Sequence, residues 1–350
     1  MTRRLNRFEA GSVGIAALLS VLAGVLDLVS APNTAVFVAS GAALVTLAWS
    51  VGLATEQLGE SSGPKIGGVL NATFGNAAEL IITIFAIRAG QLEVATASIT
   101  GSILGNTLLV LGASFVIGGV RHGVQTFDRR VAGMNASMLA LAVIGLGLPT
   151  AFAAARGAGT DAQHISDVTA AVLLVLYGLS LLYYFRSGSG AHSATGLPHL
   201  PARLAMVLLL ASTAAVAVMS DVFVGTLGGV IADVGISAAF LGLVIVPIVG
   251  NIAENVVGIK IAYQNQMDFS MLVSLGSSLQ VALGVAPVLV FVSLLTPHHF
   301  DLVFPGIQVL ALAAAVTITA LIAIDGESNW LEGAQLMAVY LIIATAFWYL

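Results

Sequence analysis

A polar phrase of the form Gly-Asn-x-Ala-Glu occurs twice in the chain, each time inside a long apolar stretch. The first glutamate phrase runs from Gly75 to Glu79, and the second glutamate phrase runs from Gly250 to Glu254, 175 positions further on. An acidic side chain at the centre of a membrane helix costs about 2.5 to 3.5 kcal/mol on insertion scales. Two carboxylates in such places indicate that the chain uses them to bind an ion.

Residues around the two glutamates add further oxygen ligands. Residues three apart share a face of a helix, so Asn76 accompanies Glu79. Asn251 accompanies Glu254 in the same way. The apolar stretch that follows each phrase carries further polar candidates, which are Ser102, Asn106, Ser277 and Gln280. Carboxylates, amides and hydroxyls without thiolate or imidazole suit a hard cation, and Ca²⁺ takes about six to eight such oxygens.

Three residues are expected to loosen the backbone near these carboxylates. Gly75 and Gly250 allow a helix to open or a neighbouring helix to approach closely. Pro247 lacks a backbone N–H and therefore frees one carbonyl just before the second glutamate phrase. We expect these helix-flexing positions to support the ion site.

The composition predicts the elements that hold these residues. The chain has 350 residues, of which 58% are hydrophobic and only 8% are charged. The chain has eleven continuously apolar segments, most of them long enough to cross about 30 Å of hydrocarbon, and they do not alternate as the strands of a membrane barrel do. The predicted fold class is therefore an all-α integral membrane protein with about eleven transmembrane helices in a lipid bilayer. Glu56 and Asp221 are expected at or near helix ends.

The chain contains an internal duplication. A Gly-Ser pair follows Glu79 by 22 residues, at Gly101 and Ser102, and a second Gly-Ser pair follows Glu254 at the same spacing. An odd number of crossings separates the two glutamate phrases, which predicts two inverted repeats of five helices. The expected organisation is an N-terminal helix at 1–31, repeats at 32–186 and 203–350, and a cytoplasmic linker at 187–202.

Basic residues predict the orientation. Ten of the twelve lysines and arginines fall on one side of the predicted topology, so the N-terminus is expected in the cytoplasm and the C-terminus outside. The net charge of −5 gives no indication of a nucleic-acid partner. The absence of cysteine excludes disulfides and thiolate metal sites.

Beyond these patterns, the sequence resembles a known family. The stretch from Gly67 to Glu79 is similar to the first repeat signature of the calcium/proton exchanger family (CAX type) in the cation/calcium exchanger superfamily. The second glutamate phrase is similar to the second signature, and the stretch from Asp325 to Gly333 resembles a further family phrase. The resemblance extends roughly from Leu53 to the C-terminus.

The resemblance implies antiport of Ca²⁺ against H⁺, with Glu79 and Glu254 as shared cation and proton sites and with no cofactor. Asn76, Asn251, Ser102, Asn106, Ser277 and Gln280 match supporting positions of that family. We expect two facing carboxylates to attract Ca²⁺ when ionised and to bind protons when the cation leaves, because desolvation and mutual repulsion then favour the protonated forms. Two protons carry the charge of one Ca²⁺, which suggests an exchange ratio near two. A prokaryotic plasma membrane is the expected location.

Two departures from related patterns bear on this expectation. The sodium/calcium exchanger branch tends to carry proline just before its glutamate, whereas Ala78 and Ala253 stand there in this chain, which favours protons as the counter-ion. Many family members have an acidic segment between the halves, but Ser187 to Pro201 contains no Asp or Glu. Cytoplasmic Ca²⁺ sensing through this segment is therefore not expected, while pH sensitivity through His192 and His199 stays open.

The same residues are compatible with other transport functions. Antiport of Na⁺, K⁺ or Mn²⁺ on the same scaffold stays open, and a passive cation channel is a weaker alternative, because acidic groups also select cations in pores. Catalysis is not expected, since the sequence contains no H-E-x-x-H, P-loop or G-x-S-x-G motif. The sequence leaves a homo-oligomer open.

Overall fold

The computed structural model describes residues 7–157, 159–187 and 200–350. Most of the predicted linker at 187–202, including His192, lies outside these ranges. The helices of the first part of the chain are α1 (Arg7–Leu28), α2 (Asn33–Ser62), α3 (Pro64–Phe74), α4 (Ala77–Arg88), α5 (Leu92–Leu104), α6 (Leu111–His122), α7 (Arg129–Arg156) and α8 (Thr160–Ser187). The remaining helices are α9 (Ala202–Val234), α10 (Ala238–Phe240), α11 (Val246–Tyr263), α12 (Met267–Gln280), α13 (Ala286–Ser293), α14 (Gly306–Ile322) and α15 (Trp330–Trp348).

Three short π-helical segments interrupt the regular helices, and they lie at Gly105–Val110, Leu241–Ile245 and Val281–Val285. Two strands of two residues, β1 (Gln125–Thr126) and β2 (Glu327–Ser328), pair antiparallel. Apart from this pair, the described elements are helices, and the all-α prediction is confirmed.

Among the described residues, ten helical stretches are long and apolar enough to cross a membrane. An eleventh apolar helix, α14, has 17 residues. The predicted set of eleven apolar segments thus corresponds to ten long helical stretches and one shorter helix. The prediction that Asp221 lies near a helix end is wrong, because α9 continues to Val234. The polar and glycine residues that follow Asp221 do not stop a helix whose other residues are strongly apolar.

The helices form two compact units. The first unit takes its described residues from Met1–Ala89, Gly178–Ile236 and Ile248–Ala253. In this unit α2 packs along α9, α1 packs on α2, and α4 packs on α9. The rings of Phe37 and Phe223 stack with their centroids 4.7 Å apart, and Gly41 lies against the ring of Phe223. Small residues allow such close helix contacts in a membrane, where the lipid gives no hydrophobic drive.

The second unit consists of Gly90–Tyr177, Ser237–Pro247 and Glu254–Leu350. Its helices α6 and α15 approach closely through Gly112 and Gly333. A methyl group added to Gly112 would lie 2.8 Å from the carbonyl oxygen of Gly333. These two helices therefore touch backbone to backbone, which only glycine permits at this distance.

A capping box begins α15. Asn329 Oδ1 accepts hydrogen bonds from the backbone N–H groups of Leu331 and Glu332, at 3.0 and 3.1 Å, and Glu332 Oε2 accepts one from the N–H of Asn329. This reciprocal pair satisfies N–H groups that the first turn leaves open. The phrase from Asp325 to Gly333 thus sets a helix start and supplies the glycine that contacts α6.

Candidate ion-binding groups

Glu79 lies in the first unit, just after an interruption of the backbone. Helix α3 ends at Phe74 and α4 begins at Ala77, and Asn76 between them has φ −102° and ψ 21°, outside the helical region. The Glu79 side chain in the first turn of α4 is 0% exposed. Its Oε2 accepts a hydrogen bond of 3.2 Å from Asn251 Nδ2. The amide of the second glutamate phrase therefore contacts the carboxylate of the first.

Gly250 allows this contact. A methyl group on Gly250 would lie 3.2 Å from both Cα and Cβ of Glu79 and 3.3 Å from its backbone nitrogen. Such contacts are tighter than ordinary van der Waals distances, so an alanine there would push the α11 backbone away from α4. The expectation that Gly250 permits close approach agrees with this geometry, and the partner is the backbone of Glu79 itself.

Glu254 lies in the second unit and has a different set of neighbours. The hydroxyl of Ser277 hydrogen-bonds the Glu254 carboxylate. Asn106 Nδ2 in turn donates to Ser277 Oγ at 3.0 Å, which forms a chain from amide to hydroxyl to carboxylate. Glu254 is partly exposed as a residue, but its Oε2 is shielded and has no hydrogen-bond partner among the described residues. This carboxylate oxygen therefore has lone pairs available to a cation or a proton.

Two of the π segments begin beside these groups. The segment Gly105–Val110 contains Asn106, and Val281–Val285 starts directly after Gln280. The third π segment, Leu241–Ile245, immediately precedes α11, and Pro247 lies in the first turn of that helix. Single π turns inside helices are frequent at functional sites, because the wider turn alters the direction of side chains and frees backbone groups.

The remaining predicted positions have defined places in the same elements. Ser102 is buried on α5 next to Gly101, whose missing side chain makes room for the carbonyl of Leu243. Asn76 is buried at the interruption between α3 and α4, and Gln280 ends α12 and is partly exposed. The structure thus connects Glu79 with Asn251, and Glu254 with Ser277 and Asn106, and it fixes where the other three lie.

One neighbour of Glu254 was not recognised in the sequence. Tyr177 on α8 lies within electrostatic range of the Glu254 carboxylate. A methyl group on Gly284 would lie 3.2 Å from the Tyr177 ring, so glycine makes room for the ring. A tyrosine in the middle of the apolar segment of α8 was the available signal, but sequence spacing does not connect α8 with α11.

The fold and these groups define a class of protein: an integral membrane protein whose apolar helices carry buried carboxylates with amide and hydroxyl partners. The chain belongs to the sodium/calcium exchanger protein family, whose model matches residues 32–186 and 204–349. The family expected from the glutamate phrases is confirmed.

Several relatives are similar along nearly their whole length. The chain is 38% identical over 338 residues to a Ca²⁺/H⁺ antiporter of Aphanothece halophytica, with 91% of each chain covered. It is 37% identical to the Ca²⁺/H⁺ antiporter ChaA of Bacillus subtilis (strain 168), covering 99% of this chain and 100% of that one. The structure of native YfkE matches with a TM-score of 0.86 and 37% identity over 97% of this chain and 99% of the other.

Proposed function

We propose that the protein is a secondary antiporter that exchanges Ca²⁺ for H⁺ across a membrane and so serves calcium homeostasis. The observation that carries the proposal is the placement of Glu79 and Glu254 on membrane-spanning helices, each with a polar donor on its carboxylate. Relatives at 37–38% identity that bear the name Ca²⁺/H⁺ antiporter support the choice of ions.

The carboxylates bind either cargo because both cargoes neutralise them. An ionised glutamate offers two oxygens to Ca²⁺, and a protonated one is neutral and releases it. Two carboxylates need one Ca²⁺ or two protons to remove their charge, so an exchange of about two H⁺ per Ca²⁺ avoids uncompensated charge in the low-dielectric interior.

The hydrogen-bond partners orient these carboxylates. Asn251 donates to Oε2 of Glu79 and holds this carboxylate in one rotamer. Ser277 is held by Asn106, which uses one lone pair of the hydroxyl and leaves its hydrogen for Glu254. Amide and hydroxyl oxygens of these same residues and of Asn76, Ser102 and Gln280 are the further ligands we assign to the cation. Neutral ligands add coordination without adding charge that protons would have to cancel.

The proposal includes the arrangement expected from the sequence. Residues 32–186 and 203–350 act as inverted five-helix repeats, with 1–31 as an additional helix and 187–202 as a cytoplasmic linker. The N-terminus lies in the cytoplasm and the C-terminus outside, in a prokaryotic plasma membrane. Alternating access arises from movement of one part of the helix bundle against another.

Transport of ⁴⁵Ca²⁺ into liposomes that contain the purified protein tests the proposal. Accumulation above equilibrium is expected only with an imposed pH gradient, and it is expected to disappear in the double variant Glu79→Gln/Glu254→Gln. Equilibration without a gradient would indicate a channel instead. If Ca²⁺ does not move at all, the ion assignment is wrong, and the same assay with Na⁺, K⁺ and Mn²⁺ identifies the cargo.

A further inference from the structure

Helix α12 carries three buried serines on one face, and one of them contacts Glu254. Ser270, Ser274 and Ser277 are 0%, 1% and 4% exposed and follow each other at intervals of four and three residues. Residues at these intervals lie one above the other on a helix. This serine row therefore starts at the carboxylate of Glu254 and runs along α12 towards Met267, where the helix begins.

Two hydroxyls of the serine row have no visible partner. The Oγ atoms of Ser270 and Ser274 are buried, and neither has a hydrogen-bond partner among the described residues. Ser278, which is not part of the row, has a partner: its Oγ donates to the carbonyl of Ser274 at 3.0 Å. Buried hydroxyls that the protein leaves unsatisfied are places for bound water.

Helix α11 presents small residues beside the serine row. Gly258 lies one turn beyond Glu254, and a methyl group on it would lie 3.5 Å from Val110 Cγ1, 3.7 Å from Val273 Cγ1 and 3.8 Å from Ser274 Oγ. Ala262, one further turn along, is 0% exposed and also has a small side chain. A side chain larger than alanine at 258 would therefore crowd the Ser274 hydroxyl.

A second unsatisfied polar group lies at the turn that precedes α12. Gln125 is buried, and its Nε2 donates to the carbonyl of Ala262 at 3.2 Å and to Asn265 Oδ1 at 2.8 Å. Gln125 Oε1 is buried and has no partner in the described ranges. Asn265 belongs to the exposed turn between α11 and α12. Gln125 thus contacts the same exposed turn after which the serine row begins.

We propose that the serine row lines a file of water molecules that conducts protons between the 264–266 turn and Glu254. The inference rests on the proposed function for its direction and purpose, because Glu254 is the group that exchanges its proton for Ca²⁺. Hydroxyls donate and accept hydrogen bonds and can pass a proton along a water chain. Ser277 also belongs to the cation site, but the hydroxyls of Ser270 and Ser274 offer too few oxygens and no charge for Ca²⁺, which takes about six to eight ligands. Ser270 and Ser274 therefore serve the proton.

Water access is tested by thiol labelling, since the chain has no cysteine and each introduced thiol is unique. Ser270→Cys and Ser274→Cys are treated with methanethiosulfonate ethylammonium, a small water-soluble reagent. The matched control is Leu275→Cys, which is 0% exposed and lies on another face of α12. Both serine variants are expected to react about tenfold faster than the control, because only a hydrated thiolate is reactive. Equal rates overturn the water file.

Proton conduction is tested by two fluxes of the Ser274→Ala variant in liposomes. Ca²⁺/H⁺ exchange moves protons, whereas exchange of ⁴⁵Ca²⁺ for unlabelled Ca²⁺ does not. We expect the variant to lower the first flux several-fold and to leave the second unchanged. Ser278→Ala, which removes a hydroxyl bonded to the backbone, is expected to change neither flux. Equal loss of both fluxes in Ser274→Ala shows a structural effect and overturns the proton role.

The labelling result stays interpretable if the proposed function fails. If the wild-type protein shows no proton-coupled flux, both the proposed exchange and the proton role of the serine row are excluded. The labelling rates of Ser270→Cys and Ser274→Cys would still decide whether water lines α12, because they do not depend on which ion is transported.

Discussion

The two glutamate phrases have nearly the same sequence but different backbones. In the first phrase the helix is interrupted, with Asn76 outside the helical region between α3 and α4. In the second phrase α11 continues without a break from Val246 to Tyr263, and the irregular backbone lies upstream in the π segment Leu241–Ile245. The repeated residues therefore fix the chemistry of each copy, whereas the flanking residues decide how the backbone carries it.

A second pair of equivalent glycines shows the same asymmetry. The carbonyl of Leu243 occupies the space beside Gly101, so a methyl group added to Gly101 would overlap this carbonyl. At Gly276, the matching position of the second copy, the described structure has no atom within 4 Å of an added methyl group. The differences between the copies thus give pairs of substitutions that test each copy separately.

The largest effect on transport is expected at the two glutamates, which are chemically the same in both copies. Glu79→Gln and Glu254→Gln should each lower Ca²⁺/H⁺ exchange at least about 100-fold, or about 2.7 kcal/mol in the activation free energy, because either change removes one charge that the cargo must neutralise. Initial ⁴⁵Ca²⁺ uptake in liposomes measures this. The matched control is Glu93→Gln on the exposed start of α5, which should transport like wild type. A glutamine variant with normal coupled exchange would exclude its glutamate from the cycle.

A smaller effect is expected from the donors that differ between the copies. Asn251→Ala removes the hydrogen bond to Glu79, and hydrogen bonds to charged groups contribute about 1.5 to 3 kcal/mol. We expect a roughly tenfold weaker half-saturation by Ca²⁺. Ser277→Ala should act similarly through Glu254, while Ser278→Ala should not. Unchanged half-saturation in Asn251→Ala would mean that the bond does not orient Glu79.

The next pair concerns stability. Gly101→Ala should lower the free energy of unfolding by about 1 to 3 kcal/mol, because the methyl group overlaps the Leu243 carbonyl. Gly276→Ala should change it by less than about 0.5 kcal/mol, since the methyl group meets open space. Thermal unfolding in detergent compares the two variants. Equal losses would show that the copies are packed alike when the protein is in solution.

The smallest effect is expected at the helix interruption. Gly75 has helical dihedrals, φ −54° and ψ −46°, which alanine adopts freely. Alanine favours helix over glycine by about 0.8 to 1.0 kcal/mol, so Gly75→Ala should favour a continuous helix. We expect the interruption to take part in transport, so Gly75→Ala should slow Ca²⁺/H⁺ exchange by up to about fivefold while the variant folds like wild type. A faster rate than wild type would show that the interruption hinders the cycle.

The sequence was sufficient for the features that depend on local pattern. Continuous apolar stretches predict the helices, and a glutamate inside such a stretch is visible without any structure. The predicted length of α9 was too short. A charged residue such as Asp221 is typical of a helix end in the sequence, but in the structure α9 continues past it to Val234.

Contacts between distant segments could not be predicted in the same way. The spacing of Asn251 and Glu254 indicates a shared helix face, but it does not show that the Asn251 amide bonds Glu79. Similarly, the serine row is visible as a spacing, but its importance follows from buried hydroxyls without partners and from Gly258 on the facing helix. Such features depend on which helices become neighbours.

The strand pair β1–β2 also places a constraint on the synthesis of the protein. Ser328 and Gln125 meet in this pair although they are 203 positions apart. A ribosome that adds about 5 to 20 residues per second needs about 10 to 40 s to bridge that distance. During this interval the loop after α6 has no strand partner, and α15 has not yet been made to meet Gly112. The contact between α6 and α15 therefore forms only after α15 has left the ribosome. A premature stop before β2 would leave Gly112 of α6 without its partner helix in the membrane.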